Sequence, residues 1–254
     1  MPDSIAIPAL TTDQMREVDR LMVEDYGIAL LQMMEHAGRH LAHVARRRFL
    51  SGDAPEGRVV VLAGTGGNGG GGLVAARRLH AWGAAVQVLT TRAPGAYDGV
   101  PAHQLAILRA MDVPVRSAQE PPRLSDADVL LDALIGYSLT GDPRGAAAAL
   151  IRAANDSSTP VLSLDVPSGL DATSGRVHTP AVRAEATMTL ALPKTGLHGN
   201  EAVTGDLYLA DISVPPALYA AAPLGLDVPP IFTSADLLRL IPTTDDRFRA
   251  RPLQ

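Results

Sequence analysis

The 254-residue chain has no cysteine, which removes disulfides, thiolate catalysis and zinc–thiolate sites together. Aromatic residues make up only 4% and the formal net charge is −5, so no basic, aromatic-rich surface is offered to nucleic acid. No apolar run approaches the roughly 20 residues a membrane span needs, and Met1-Pro2-Asp3-Ser4 carries no basic segment of the kind that opens a secretion signal. A soluble, cytoplasmic protein with neither nucleic acid nor membrane as partner is the expectation. With 46% hydrophobic and 19% charged residues, the composition fits one large α/β domain over 1–254.

The chain is rich in glycine at one place. Val59-Val60-Val61-Leu62-Ala63 is a short apolar run of the kind buried in a parallel sheet, and Gly64-Thr65-Gly66-Gly67-Asn68-Gly69-Gly70-Gly71-Gly72 follows it. Leu73, Val74, Ala76 and Leu79 then fall at helical spacing, giving strand, glycine loop, helix. Such a loop lets backbone N–H groups approach a ligand, and the helix start adds unpaired donors and a partial positive charge, so an anionic or phosphate-bearing ligand is expected there. Gly64, Gly66 and Gly69 match the dinucleotide fingerprint, which also calls for an acid at the end of the next strand. That strand, Ala85 to Leu89, ends in Thr90-Thr91-Arg92, which disfavours an ordinary NAD-dependent oxidoreductase.

Ahead of this strand, Thr11 is placed to cap a helix carrying Met15, Val18, Leu21 and Met22. A second helix is expected over Leu30 to Phe49, with Leu30, Leu31, Met34, Ala37, Leu41 and Val44 inward and Arg39, Arg46, Arg47 and Arg48 toward water. These two helices read as an addition ahead of the sheet that covers an edge or forms a partner surface. His36, His40 and His43 share a face of the second helix, but no Asp or Cys nearby completes a metal set, so a solvated or partner-facing face is the expectation.

After the glycine loop, helices alternate with strands. Helices are expected over Pro101 to Met111 and Gly145 to Ala154. Strands are expected over Ala85 to Leu89, Val113 to Arg116, Asp128 to Leu134, Val161 to Asp165, Ala186 to Leu192 and Leu207 to Ile212, where the sheet ends. The alternation predicts a three-layer αβα, Rossmann-like, mostly parallel sheet with two N-terminal helices, followed by a loose connection from Pro215 to Pro230. Ligands of such sheets bind beyond the carboxyl ends of the strands. Asp132 and Asp165 each close an apolar strand, where a carboxylate is costly unless it meets a cation or donors, and two of them facing one glycine loop favour a site.

Five motifs in order, Met33-Met34-Glu35-His36-Ala37-Gly38, the glycine loop, Asp132-Ala133-Leu134-Ile135-Gly136, Leu164-Asp165-Val166-Pro167-Ser168-Gly169-Leu170-Asp171 and Leu192-Pro193-Lys194-Thr195-Gly196, resemble those of the YjeF N-terminal domain family, the NAD(P)H-hydrate epimerases. The resemblance runs from about Met15 to Pro215, the core being about 11–215. It implies that the substrate is hydrated NADH or NADPH with a hydroxyl on the reduced ring, and that the reaction interconverts its R and S forms. It implies a potassium ion held by Asn68, Asp132 and Ser168, a reasonable oxygen set for a hard cation. Gly67, Asn68, Gly69, Gly70 and Gly71, with Gly136, Tyr137, Ser138, Leu139, Thr140, Gly141 and Asp142, would hold the diphosphate and ring. Asp165 would contact the nicotinamide and act as general acid/base.

The chain departs from the family at Gly67, where the usual loop has Asn, and at Gly71, where it has Asp. A working site with altered substrate contacts is expected, the alternative being a catalytically silent binding or assembly module of the same fold. Residues 216–254, with Phe232-Thr233-Ser234-Ala235-Asp236-Leu237 to Pro242, resemble the linker into a dehydratase domain, so the expected partner is an NAD(P)H-hydrate dehydratase, either a separate protein or a part cut away. Homodimerisation through the N-terminal helices is the expected assembly.

Overall fold

The computed structural model describes residues 5–118, 124, 126–244 and 247–253. Met1-Pro2-Asp3-Ser4 lie outside the described residues. The parallel strands are β2 (Arg58–Ala63), β3 (Ala85–Thr90), β4 (Val115–Ser117), β5 (Val129–Ala133), β6 (Val161–Leu164), β7 (Ala186–Leu190) and β8 (Asp206–Ala210). To these the chain adds β1 (Ile5–Ile7), β9 (Leu237–Pro242) and β10 (Phe248–Pro252), all paired antiparallel. Among the described residues the sheet order is β1-β10-β9-β8-β7-β6-β5-β2-β3-β4. The chain winds one way from β2 to β4 and the other way from β5 to β8, so the order switches between β2 and β5.

Both faces of the parallel strands are apolar because helices cover both. Alternate residues of β2 divide cleanly. Val59, Val61 and Ala63 join the core beneath α2 (Leu30–Phe49), α3 (Gly67–Ala81) and α4 (Gly99–Ala110), while Val60 and Leu62 face α5 (Gly145–Asp156). A third cluster binds α1 (Thr12–Glu24) to β8, β9 and β10 through Val18, Leu207, Leu238 and Phe248. Thr11 caps α1 as its spacing predicts, its side chain accepting from the Gln14 backbone N–H at 3.2 Å.

Several expectations are corrected. The sheet does not end near Ile212, because β9 and β10 continue it and β1 closes the edge ahead of the two leading helices. The segment expected as a linker is therefore partly strand. Leu237, Leu238 and Leu240 are buried against β8, which gives that stretch a reason to pair. The two leading helices lie within the layers, α1 over the antiparallel strands and α2 against α3. Leu30 and Leu31 are 44% and 37% exposed, because the first turn of α2 projects past its packing partners. Arg46 and Arg48 do not simply face water. Arg46 lies 4.5 Å over the Trp82 ring, and Arg48 pairs with Asp206, Glu185 and the Tyr208 hydroxyl. His40 is buried and its pKa is driven by burial down to about 4, while His43 packs on Trp82, so their face of α2 is an interior one.

The glycine run also differs from a plain loop. Helix α3 begins at Gly67, so Gly69 to Gly72 lie inside it. The reason is the approach of α2. A Cβ on Gly38 would overlap the Gly71 carbonyl oxygen and the Val74 side chain, so the two helices pack backbone to backbone.

Candidate active site

A cavity of about 500 Å³ opens at the switch in strand order. Its wall is built from the turn after β2, the segment after β5, the end of β6 and the two leading helices. Gly67 and Asn68 line it from the first turn of α3, and Gly136, Tyr137 and Ser138 line it from the segment after β5. Asp165 lines it from the end of β6. Gly69, Gly70 and Gly71 lie inside α3, buried beneath α2 and the sheet rather than on the wall. Leu139, Thr140, Gly141 and Asp142 run outward from the cavity, and Asp142 accepts from His178 and the Thr179 backbone N–H, bonds that lower its carboxyl below the ordinary range.

Asp165 is 3% exposed and sits in the left-handed backbone region at φ 69°, a strained conformation for a residue with a side chain. One carboxylate oxygen meets the Lys194 Nζ at 2.5 Å and the other accepts from the Tyr137 backbone N–H at 3.1 Å. Lys194 is fully buried, and its ammonium also donates to the Leu190 carbonyl at 2.8 Å and to Thr189 Oγ1 at 3.3 Å. A buried ammonium and carboxylate in contact, each with further hydrogen bonds, satisfy the conditions under which a buried ion pair persists.

Asp132 ends β5 under different conditions. It is fully buried and its partners are hydroxyls and amides alone. Ser168 Oγ donates at 2.6 Å, Ser163 Oγ at 2.8 Å, the Ser168 backbone N–H at 2.9 Å and the Leu134 backbone N–H at 3.3 Å. Burial pushes its carboxyl up, and those donors only partly oppose the shift. Among the described residues no cation pairs with it. Ser168 Oγ also accepts from the Ile135 backbone N–H, and Gly136, next in the chain, packs on the Asn68 side chain. The Asn68 amide nitrogen is buried without an acceptor. Because an amide can turn end for end, that orphan position equally presents a carbonyl oxygen. Asn68, Asp132 and Ser168 thus offer neutral oxygens and one carboxylate charge at neighbouring positions, which fits a hard monovalent cation.

Sequence reasoning missed Asp19. It lies on α1 between Met15 and Met22, four and three residues away, where helical spacing puts it on the apolar stripe, and an acid there is a legible signal. Its carboxylate lines the cavity and accepts from the Tyr137 hydroxyl at 2.5 Å. Lys194 was visible within its motif, but its burial was not.

A sequence profile described as YjeF-related protein N-terminus matches residues 30–196, a span that holds Asn68, Asp132, Asp165, Ser168 and Lys194 but not Asp19. A protein of Dehalogenimonas lykanthroporepellens named NAD(P)H-hydrate epimerase is 48% identical over 225 residues, covering 86% of this chain and 87% of its own. One of Truepera radiovictrix with the same name is 42% identical over 211 residues, with 83% and 92% covered. A Salinibacter ruber protein named bifunctional NAD(P)H-hydrate repair enzyme Nnr is 37% identical over 230 residues, covering 84% of this chain but 42% of its own. The crystal structure of yeast ynu0, YNL200c, superposes with a TM-score of 0.74 at 26% identity, covering 92% of this chain and all of that one. Sequence match and fold agree over the strands that carry both buried aspartates, and on that ground the chain belongs to the family of YjeF-related protein N-terminal domains.

Proposed function

We propose that the protein epimerises the R and S forms of hydrated NADH and NADPH, an isomerase reaction of nicotinamide cofactor repair. The observation that carries this reading is Asp165, an ion-paired carboxylate on the wall of a cavity that the first turn of α3 also lines. The N-terminus of α3, at Gly67 and Asn68, offers unpaired N–H groups and the positive end of the helix dipole to the substrate diphosphate, with Gly136, Tyr137 and Ser138 lining the same cavity. Hydration of a double bond beside the ring nitrogen leaves a hydroxyl on the carbon next to that nitrogen. Inverting it requires proton transfer at the hydroxyl, and Asp165 is the general acid/base for that transfer. Its two oxygens are fixed by Lys194 and the Tyr137 N–H, so it is held ready rather than free to rotate.

Asn68, Asp132 and Ser168 would hold a potassium ion, which would supply positive charge to a buried carboxylate that has no cation partner among the described residues. An NAD(P)H-hydrate dehydratase is the functional partner of this activity, as the greater length of the relative named bifunctional suggests. Two copies associate through the N-terminal helices, where Val23, Tyr26, Leu30 and Leu31 are 45%, 46%, 44% and 37% exposed. A solution mass that stays monomeric at all concentrations would refute the dimer.

The test is the rate at which purified R and S hydrates interconvert, with and without protein, in potassium and in sodium. Acceleration that Asp165→Asn removes supports the epimerase. The Gly71 position favours a second reading, a silent binding module. Gly71 is buried, and a Cβ there would sit 2.8 Å from the Leu164 side chain and 3.6 Å from Ala37, so the place of the family's acid is closed by packing. Substrate binding without acceleration would select that reading.

A further inference from the structure

Two carboxylates face the cavity, and the reaction proposed above assigns work to one. Asp19 and Asp165 approach it from different layers, α1 and the end of β6, and a single residue ties them together. Tyr137 donates its backbone N–H to Asp165 at 3.1 Å and its hydroxyl to Asp19 at 2.5 Å, so one residue holds both acids, one from its main chain and one from the tip of its ring. Of the two acids Lys194 pairs with Asp165, while Asp19 accepts from the Tyr137 phenol. No fold requirement places an acid there, since Met15, Val18 and Met22 supply the apolar contacts of α1.

We propose that Asp19 is the second acid–base group of this site, working on the ring face opposite to that served by Asp165, with Tyr137 as its positioning residue. The inference rests on the epimerase reading. From one epimer, Asp19 gives its proton to the ring hydroxyl as the carbon–oxygen bond breaks. The lone pair of the ring nitrogen forms a carbon–nitrogen double bond, and the hydroxyl departs as water. A water on the other face adds to the same carbon, the double-bond electrons return to nitrogen, and the proton released goes to Asp165. One water leaves and one enters, and one proton moves from Asp19 to Asp165, returning through solvent before the next turnover. The reverse reaction exchanges the two roles.

The environments support the division. Burial raises the Asp19 carboxyl, the Tyr137 hydrogen bond and the Lys194 charge oppose that, and the Asp165 charge adds to it, leaving the carboxyl above its ordinary range. A raised carboxyl beside the cavity is suited to donating a proton to a bound ligand. Asp19 must be protonated to act on the first epimer, so the rate falls as pH rises through its folded pKa. Removing the Tyr137 hydroxyl removes a bond that favours the charged form, so the same fall moves to higher pH.

The experiment is initial-rate epimerisation of purified R hydrate across pH by the wild-type protein, Asp19→Asn and Tyr137→Phe. The expected result is a kcat lower by about 10²–10⁴ in Asp19→Asn with KM within about threefold of wild type. In Tyr137→Phe the alkaline limb shifts upward. Asp19→Asn with near wild-type kcat, or with the loss in KM alone, overturns the assignment. Should Asp19→Asn fail to fold, an unmoved alkaline limb in Tyr137→Phe overturns it instead. A wild-type protein that does not accelerate the reaction overturns the epimerase reading and this inference with it, whereas an active wild type with either variant result above overturns this inference only.

Discussion

Asp132 and Asp165 end neighbouring strands, β5 and β6, and nothing in their local sequence separates them. Their surroundings do. Asp165 meets an ammonium and faces a cavity, whereas Asp132 meets only hydroxyls and amides and is sealed behind the wall. A buried carboxylate is costly by default, and the two sites meet that cost by different means, an internal countercharge at one and hydroxyl and amide donors at the other. The carboxylate beside the cavity is the one able to exchange protons with a ligand, and the sealed one is suited to holding charge in place.

The largest test of this contrast is catalytic. Asp165→Asn should lower kcat by about 10²–10⁴, whereas Asp132→Asn should leave a residual rate that is the same in potassium as in sodium, both read from epimer interconversion. Next is the ion pair itself. Lys194→Met strands a buried carboxylate and should cost about 3–5 kcal/mol in denaturant unfolding, and the double variant with Asp165→Asn should recover much of that loss. Third, potassium should raise wild-type stability over sodium by about 1–3 kcal/mol near saturation. Asp132→Asn should show no such difference in thermal melts. The smallest effect separates the supporting hydroxyls. Ser163→Ala, which removes a 2.8 Å donor from Asp132, should cost about 1–2 kcal/mol. Thr189→Val, which removes a 3.4 Å contact to Asp165 and a 3.3 Å acceptor for Lys194, both longer than the Ser163 bond, should cost less in the same unfolding assay.

Much of this arrangement was legible in the chain. The apolar runs of β2, β3 and β5 to β8 sit where their composition puts them, and α2 spans Leu30–Phe49 as its periodicity indicates. Asn68, Asp132, Asp165 and Ser168 could be placed because strand ends and glycine turns are local signals. The antiparallel addition could not. Phe248-Arg249-Ala250-Arg251-Pro252 falls in the stretch that resembles a linker, and it becomes a strand only because β9 offers it a partner. Lys194 was beyond reach for a related reason. A lysine is buried completely only when a carboxylate from another strand end stands against it, and that encounter belongs to the assembled sheet.

The close approach of α2 to α3 also bears on the order in which the molecule assembles. Five of the first six residues of α3 are glycine. Each interior glycine forfeits about 1 kcal/mol of helix propensity relative to alanine, so this end of α3 has almost no local drive to form. It takes its shape from α2 lying across it at Gly38. The glycine turn is therefore a product of long-range docking, and it would form late in folding. A fragment carrying only β2 and α3 would leave it as coil, and alanine at Gly38 would register chiefly as faster unfolding of the whole chain.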